Sequence, residues 1–203
     1  MDAFPLAYCI SIALKLFALL TPPLALTAFL SGTEGYSVAR KRRIAHKASI
    51  TVFVLGTLLF FWGQQLFDLF GFTLDAFRIG TGTLLFLTAV SMMRPAGQHT
   101  RSDTENEDIS VVPLAVPIIL GPATIGTLMV LGAEPASRSG RLADILALFA
   151  ATAGLWILLL LAEKIQKVLG YAGLAILTRI TGLLLSAIAA QLVFSGIRNF
   201  MRP

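Results

Sequence analysis

The segment ALLTPPLALTAFL, Ala18–Leu30, is apolar enough to lie in a bilayer, yet it carries two adjacent prolines, Pro22 and Pro23. A proline inside a helix removes one backbone hydrogen bond and crowds the carbonyl four residues earlier. Breaking a spanning helix near its middle therefore needs a reason, and a second segment supplies one. LLTPPLALTAFLSG at Leu19–Gly32 is echoed one hundred residues later by ILGPATIGTLMVLG at Ile119–Gly132. Leu20, Pro22, Thr27 and Gly32 return as Leu120, Pro122, Thr127 and Gly132. A second echo lies between RIGTGTLLFLTA from Arg78 and RITGLLLSAIAA from Arg179. One residue of slippage aligns the arginines, and Gly82, Leu84, Leu85 and Ala89 then match Gly182, Leu184, Leu185 and Ala189.

The solvent for this fold is set by composition. Of 203 residues, 56% are hydrophobic and 13% charged, and the mean hydropathy is +0.81. Soluble domains carry roughly 25% charged residues, so the chain reads as an integral membrane protein. Its net charge of +5 fits loop asymmetry rather than nucleic-acid binding. The single cysteine, Cys9, excludes an intrachain disulfide and reads as an apolar filler. His46 and His99 fall in expected polar connections, and no His, Cys, Asp and Glu grouping suggests a metal or haem. No cofactor is expected. Asp2 and the interrupting Lys15 argue for a retained first span rather than a cleaved leader.

About 20 apolar residues cross a bilayer core as helix. Six segments approach that length: 8–30, 46–67, 76–93, 111–133, 145–162 and 180–198. Arg40, Lys41, Arg42, Arg43, Lys47, Arg94, Arg101, Lys164, Lys167 and Arg179 would share one side of the membrane. Arg78, Arg138, Arg141, Arg198 and Arg202 would lie on the other. The richer side should be cytoplasmic, which puts both termini outside. The polar connection RPAGQHTRSDTENED, residues 94–108, separates a first unit of three spans (1–93) from a second (109–203) within one membrane domain. Each unit has an odd number of spans, so the second inserts upside down. The expected fold is an all-α membrane protein of six transmembrane helices, a 3+3 inverted repeat whose first and fourth helices are broken.

That plan gives the prolines a purpose. Thr21 suits an N-cap and Pro22 the first helical position, with Gly121 and Pro122 as their counterparts. Pro113 and Pro117 loosen the helix leading to the second break. Each break would expose a helix N-terminus inside the membrane, and an N-terminus attracts anions such as a carboxylate. Thr21, Pro22, Pro23, Gly121, Pro122, Ala123 and Thr124 are thus the expected substrate seat. Lys15, Arg78 and Arg179 are candidate vestibule residues, each also explicable as an interfacial anchor. Asp68, Asp75 and Glu163 fall near span ends, and no acid is expected at a span centre. Gly80, Gly82, Gly182, Ser186 and Ala190 are assigned to close helix packing, and Gln64, Gln65 and Gln191 to interhelical hydrogen bonds.

Four stretches together resemble a known family. They are ARKRRIAHKAS (39–49), DAFRIGTGTLLFLTAVSMM (75–93), DISVVPLAVPIILGPATI (108–125) and LTRITGLLLSAIAAQLVFSGIRN (177–199). They look like the MarC family of six-span inner-membrane proteins, related to LysE-type exporters, and the likeness runs over nearly the whole chain. The resemblance implies a transporter of small neutral amino acids such as glycine or alanine. Where the family's first break reads Asn-Pro-x-Gly, this chain has Thr21-Pro22-Pro23-Leu24. The expected partners are a small-molecule substrate, the lipid bilayer, a coupling ion (H+ or Na+) and a second copy of the chain, with no nucleic acid. Two other readings stay open: an exporter of other small or apolar compounds, and a non-transporting membrane assembly partner. An enzyme is not expected, since no nucleophile and base stand together in the sequence.

Overall fold

The computed structural model describes residues 6–93, 114–134 and 138–201. The expected linker 94–108, Pro113 and residues 111–112 lie outside these. Every regular element among the described residues is a helix. α1 (Leu6–Leu19) and α2 (Pro22–Gly32) are followed by α3 (Val38–Phe70) and α4 (Leu74–Met93). A π-helical segment, Leu114–Ile119, leads into α5 (Pro122–Ala133), then α6 (Arg138–Leu160) and α7 (Ala162–Phe200). Among the described residues, Val38–Gly63, Leu74–Met93, Gly140–Leu160 and Ala162–Phe200 are long and apolar enough to cross a membrane. Taking α1 and α2 as one span bent by 44° makes a fifth. α5 has only 12 residues and is too short to cross alone.

The boundaries follow from local chemistry. Ser37 caps α3, its side chain accepting from Arg40 N at 3.4 Å. α3 ends at Gly71 (φ 68), where Phe72 N bonds the Phe67 carbonyl. Thr73 Oγ1 accepts from Ala76 N at 3.2 Å and opens α4. Three helices run longer than hydropathy alone suggested, α6 by beginning at Arg138 instead of 145. α3 begins at Val38 instead of 46, so Arg40–Arg43 and His46 ride on a helix rather than in a connection. α7 begins at Ala162 instead of 180, with a break at Gly170 (φ 63, ψ 180). Charged residues interrupt an apolar window without interrupting a helix.

Burial is arranged as lipid requires. Small residues face inward: Ala45 and Ala48 on α3, Ala143, Ala147 and Ala151 on α6, Ala89 on α4 and Ala189 on α7. Large apolar residues such as Ile50, Phe61, Phe149, Ile157, Leu184 and Phe194 face outward. Close backbone approach, rather than expulsion of oil from water, holds membrane helices together. α4 and α7 show it best. A Cβ on Gly82 would lie 2.9 Å from the Ala189 carbonyl, and one on Gly182 would lie 2.9 Å from the Ala89 carbonyl. α3 and α6 also pack together, with Phe53 against Phe149 (5.7 Å between centroids) and His46 against Trp156 (5.1 Å).

The two ends of the bundle carry different polar networks. At one end, Arg78 of α4 pairs with Asp75 at 2.9 Å and with Glu134, just past α5, at 2.6 Å. Asn199 of α7 reaches Asp75 at 3.4 Å. At the other end, Lys41 of α3 meets Glu163 of α7 at 2.7 Å, and the Arg40 guanidinium stacks 3.9 Å over Tyr36.

Candidate site at the paired helix breaks

The first break is a direct product of two prolines. Pro22 and Pro23 occupy the first two positions of α2 and have no N–H. The Ala18 and Leu19 carbonyls therefore lose the donors that a continuous helix would send them. Thr21 N turns back to the Ala18 carbonyl at 3.0 Å. The Leu19 carbonyl is taken from outside: the hydroxyl of Thr124 donates to it at 3.0 Å, fully buried. Thr124 belongs to the opening turn of α5, so this bond ties the first break to the second.

Thr21 holds the N-cap position of α2 but does not cap it. Capping needs an extended residue whose oxygen accepts from the second or third N–H of the helix. Thr21 is instead left-handed (φ 48, ψ 58), and the second position is Pro23. Its hydroxyl is buried with no hydrogen-bond partner, and the residue is 5% exposed. Thr21 is the one non-glycine residue with positive φ among the described residues. Buried orphan hydroxyls and strained backbone gather at sites that hold something.

The second break is built differently. Leu120 N reaches five residues back to the Ala115 carbonyl (2.9 Å), which widens the turn before the break. Gly121 is extended (φ −71, ψ 166) and Pro122 opens α5. The first bond of α5 runs from Ile125 N to the Gly121 carbonyl, so the N–H groups of Ala123 and Thr124 precede it. On α2 the first such bond runs from Ala25 N to the Thr21 carbonyl, and its two prolines leave only Leu24 N–H ahead of it. The two ends are therefore unequal: α5 offers two backbone donors and α2 one. Ala123, Thr124, Pro22 and Pro23 are buried, Gly121 is partly so, and Pro122 is exposed.

The three vestibule candidates are dispersed. Lys15 is exposed on α1, Arg78 sits in the ion network at one end, and Arg179 is exposed on α7. The sequence reading passed over Asp144, 2% exposed on α6, because the expected fifth span began one residue beyond it. Its signal was the inward stripe of α6: Ala143, Ala147 and Ala151 run beside Asp144, Leu148 and Thr152. A cleft of about 240 Å3 adjoins the second break, lined by Leu55, Leu59, Trp62 and Leu66 of α3 with Leu120 and Ile125. Among the described residues no three His, Cys, Asp or Glu side chains gather as metal ligands.

Residues 6–201 match a family model described as MarC family integral membrane protein. A UPF0056 membrane protein of Methanocaldococcus jannaschii is 34% identical, the match covering 96% of this chain and 98% of that protein. One from Aquifex aeolicus is 32% identical over 93% of this chain and 92% of its own. Another, from Escherichia coli, is 31% identical over 91% and 89%. No solved structure matches the chain.

Proposed function

The chain belongs to the MarC family of integral membrane proteins, and from that premise we propose that it is a secondary transporter of small neutral amino acids. It works by alternating access as a carrier, not a catalyst, and sits in the cell inner membrane with both termini outside. The observation that carries this reading is the bond between Thr124 and the Leu19 carbonyl, which joins two broken helices beside an orphaned, strained Thr21. The Ala123 and Thr124 N–H groups suit a substrate carboxylate, since helix N-termini favour anions. The Thr21 hydroxyl, with the second lone pairs of the Ala18 and Leu19 carbonyls, suits an ammonium group.

The six-span inverted repeat belongs to the same proposal, and the helix pairings support it. α1 packs on α6 as the π-helical segment packs on α3, and α2 packs on α7 as α5 packs on α4. The reciprocal contacts of Gly82 with Ala189 and Gly182 with Ala89 exchange under the same hundred-residue shift. Thr27 Oγ1 donates to the Pro23 carbonyl and Thr127 Oγ1 to the Ala123 carbonyl, both at 2.8 Å.

Reconstituted protein should take up labelled glycine or alanine, and Gly121→Leu should abolish uptake by filling the seat. Failure of a broad panel of small amino acids to move would sink the reading. The apolar cleft beside Leu120 favours a second one, an exporter of apolar compounds. In that case apolar solutes would compete for transport and Trp62→Ala would alter it, while amino acids would do neither.

A further inference from the structure

The seat makes no use of Asp144, a buried acid on α6. Its Oδ1 atom is sealed from solvent with no hydrogen-bond partner. A carboxylate anion there leaves this oxygen without water or a donor, a costly arrangement inside a membrane. Its surroundings relieve the anion only at the other oxygen, through the Tyr8 phenol. From α1, which packs along α6, come the Tyr8 phenol beside the carboxyl and Cys9, whose Sγ donates to the Ala143 carbonyl at 3.5 Å. The nearest charge from α5 is Glu134, a second acid already held by Arg78. α3 meets the next turn of α6 through Gly56 against Leu148. α2 has no ionisable side chain, and Glu163 and Lys164 of α7 lie at the opposite end of α6, beside Leu159 and Leu160. On α6 itself, Arg141 is exposed.

We infer that Asp144 is a proton-binding site that couples transport to the proton gradient, receiving its proton from the face where α1 begins. The inference rests on the transporter reading. One proton from the outer aqueous phase joins the open carboxylate oxygen and makes a neutral acid; its release toward the other face restores the anion. A hard metal cation needs a shell of several oxygens, whereas a single orphaned oxygen beside a phenol matches one proton. The link to the seat is α1 itself. One end of α1 lies on Asp144 through Tyr8 and Cys9, and the other end supplies the Leu19 carbonyl to Thr124. The neutral acid lets α1 lie against α6. The anion draws water between them and swings α1, and a swing of α1 reshapes the break. At the repeat offset, α3 carries the buried Ile44 in place of an acid.

The test uses the full chain in lipid vesicles, with two readouts. In infrared spectra, the wild type should show a protonated-carboxyl band that titrates with pH. That band should vanish in Asp144→Asn and shift in Tyr8→Phe. Absence of an Asp144-dependent band overturns the inference, even if transport of every amino acid also fails. In uptake of labelled alanine, an inward proton gradient should raise accumulation several-fold. Asp144→Asn should lose that dependence entirely, and Asp144→Glu should recover part of it. Gradient-driven accumulation that survives Asp144→Asn, or accumulation driven by sodium instead, overturns the coupling role.

Discussion

At Thr21 and Thr124, two residues of one type do opposite things. Thr124 donates its hydroxyl to a carbonyl stripped of its donor by Pro23, so it closes the break. Thr124→Val should leave the Leu19 carbonyl buried and unpaired, lowering stability by about 1–3 kcal/mol; Thr124→Ser should keep it. Thermal unfolding of the purified pair checks this. Thr21 leaves its own hydroxyl open and occupies a backbone region that β-branched residues resist. Asparagine tolerates that region best after glycine. Thr21→Asn should therefore raise the melting temperature, by relief of about 1 kcal/mol of strain. The hydroxyl's part in the seat is a separate readout: Thr21→Val should weaken amino-acid protection against heat without restoring the strained backbone.

The elements are joined by glycines whose worth depends on where they sit. Gly82 and Gly182 lie where α4 and α7 nearly touch, and a methyl group on either would press on a carbonyl. Gly80, on α4 close to Gly82, has nothing within 4 Å of a Cβ. Gly182→Ala should cost about 1–3 kcal/mol through overpacking, whereas Gly80→Ala should be neutral or stabilising by up to about 1 kcal/mol, since alanine is the better helix former. Chemical unfolding in detergent separates the two. Both were assigned to packing from sequence, as small residues in an apolar helix. Gly80 and Gly82 are two residues apart and so point to nearly opposite sides of α4, and only Gly82 can meet α7. Gly170 is a third kind, with φ 63, and it divides α7 into a charged approach and an apolar span.

Over the whole molecule, the ends differ in a way that tests orientation. The Arg78, Asp75, Glu134 and Asn199 network closes the end where α1 and α6 begin, and the helix-borne Arg40–Arg43 mark the other. The cation-rich end should be cytoplasmic. Cys9, the single cysteine, lies partly buried at the closed end. A membrane-impermeant thiol reagent should therefore label the native protein only from outside the cell. Glu134→Gln, which loosens Arg78, should speed that labelling. Labelling only from inside would invert the topology.

Hydropathy and two prolines were enough to establish from sequence a helical membrane protein broken after Leu19, and the family came from the likeness of four separate motifs. These are local properties: a run of about 20 apolar residues reads as helix in lipid, and a proline inside such a run removes a backbone hydrogen bond and ends or restarts the helix there. What Thr21 and Thr124 do was not local. Both are threonines within two residues of a proline, and only the approach of α5 to the end of α1 decides that one hydroxyl finds a carbonyl while the other is sealed without a partner. Asp144 stands in sequence one residue before the expected fifth span and drew no reading there. It becomes a buried acid only because α1 lies across it, and burial is settled by packing between segments far apart in the chain.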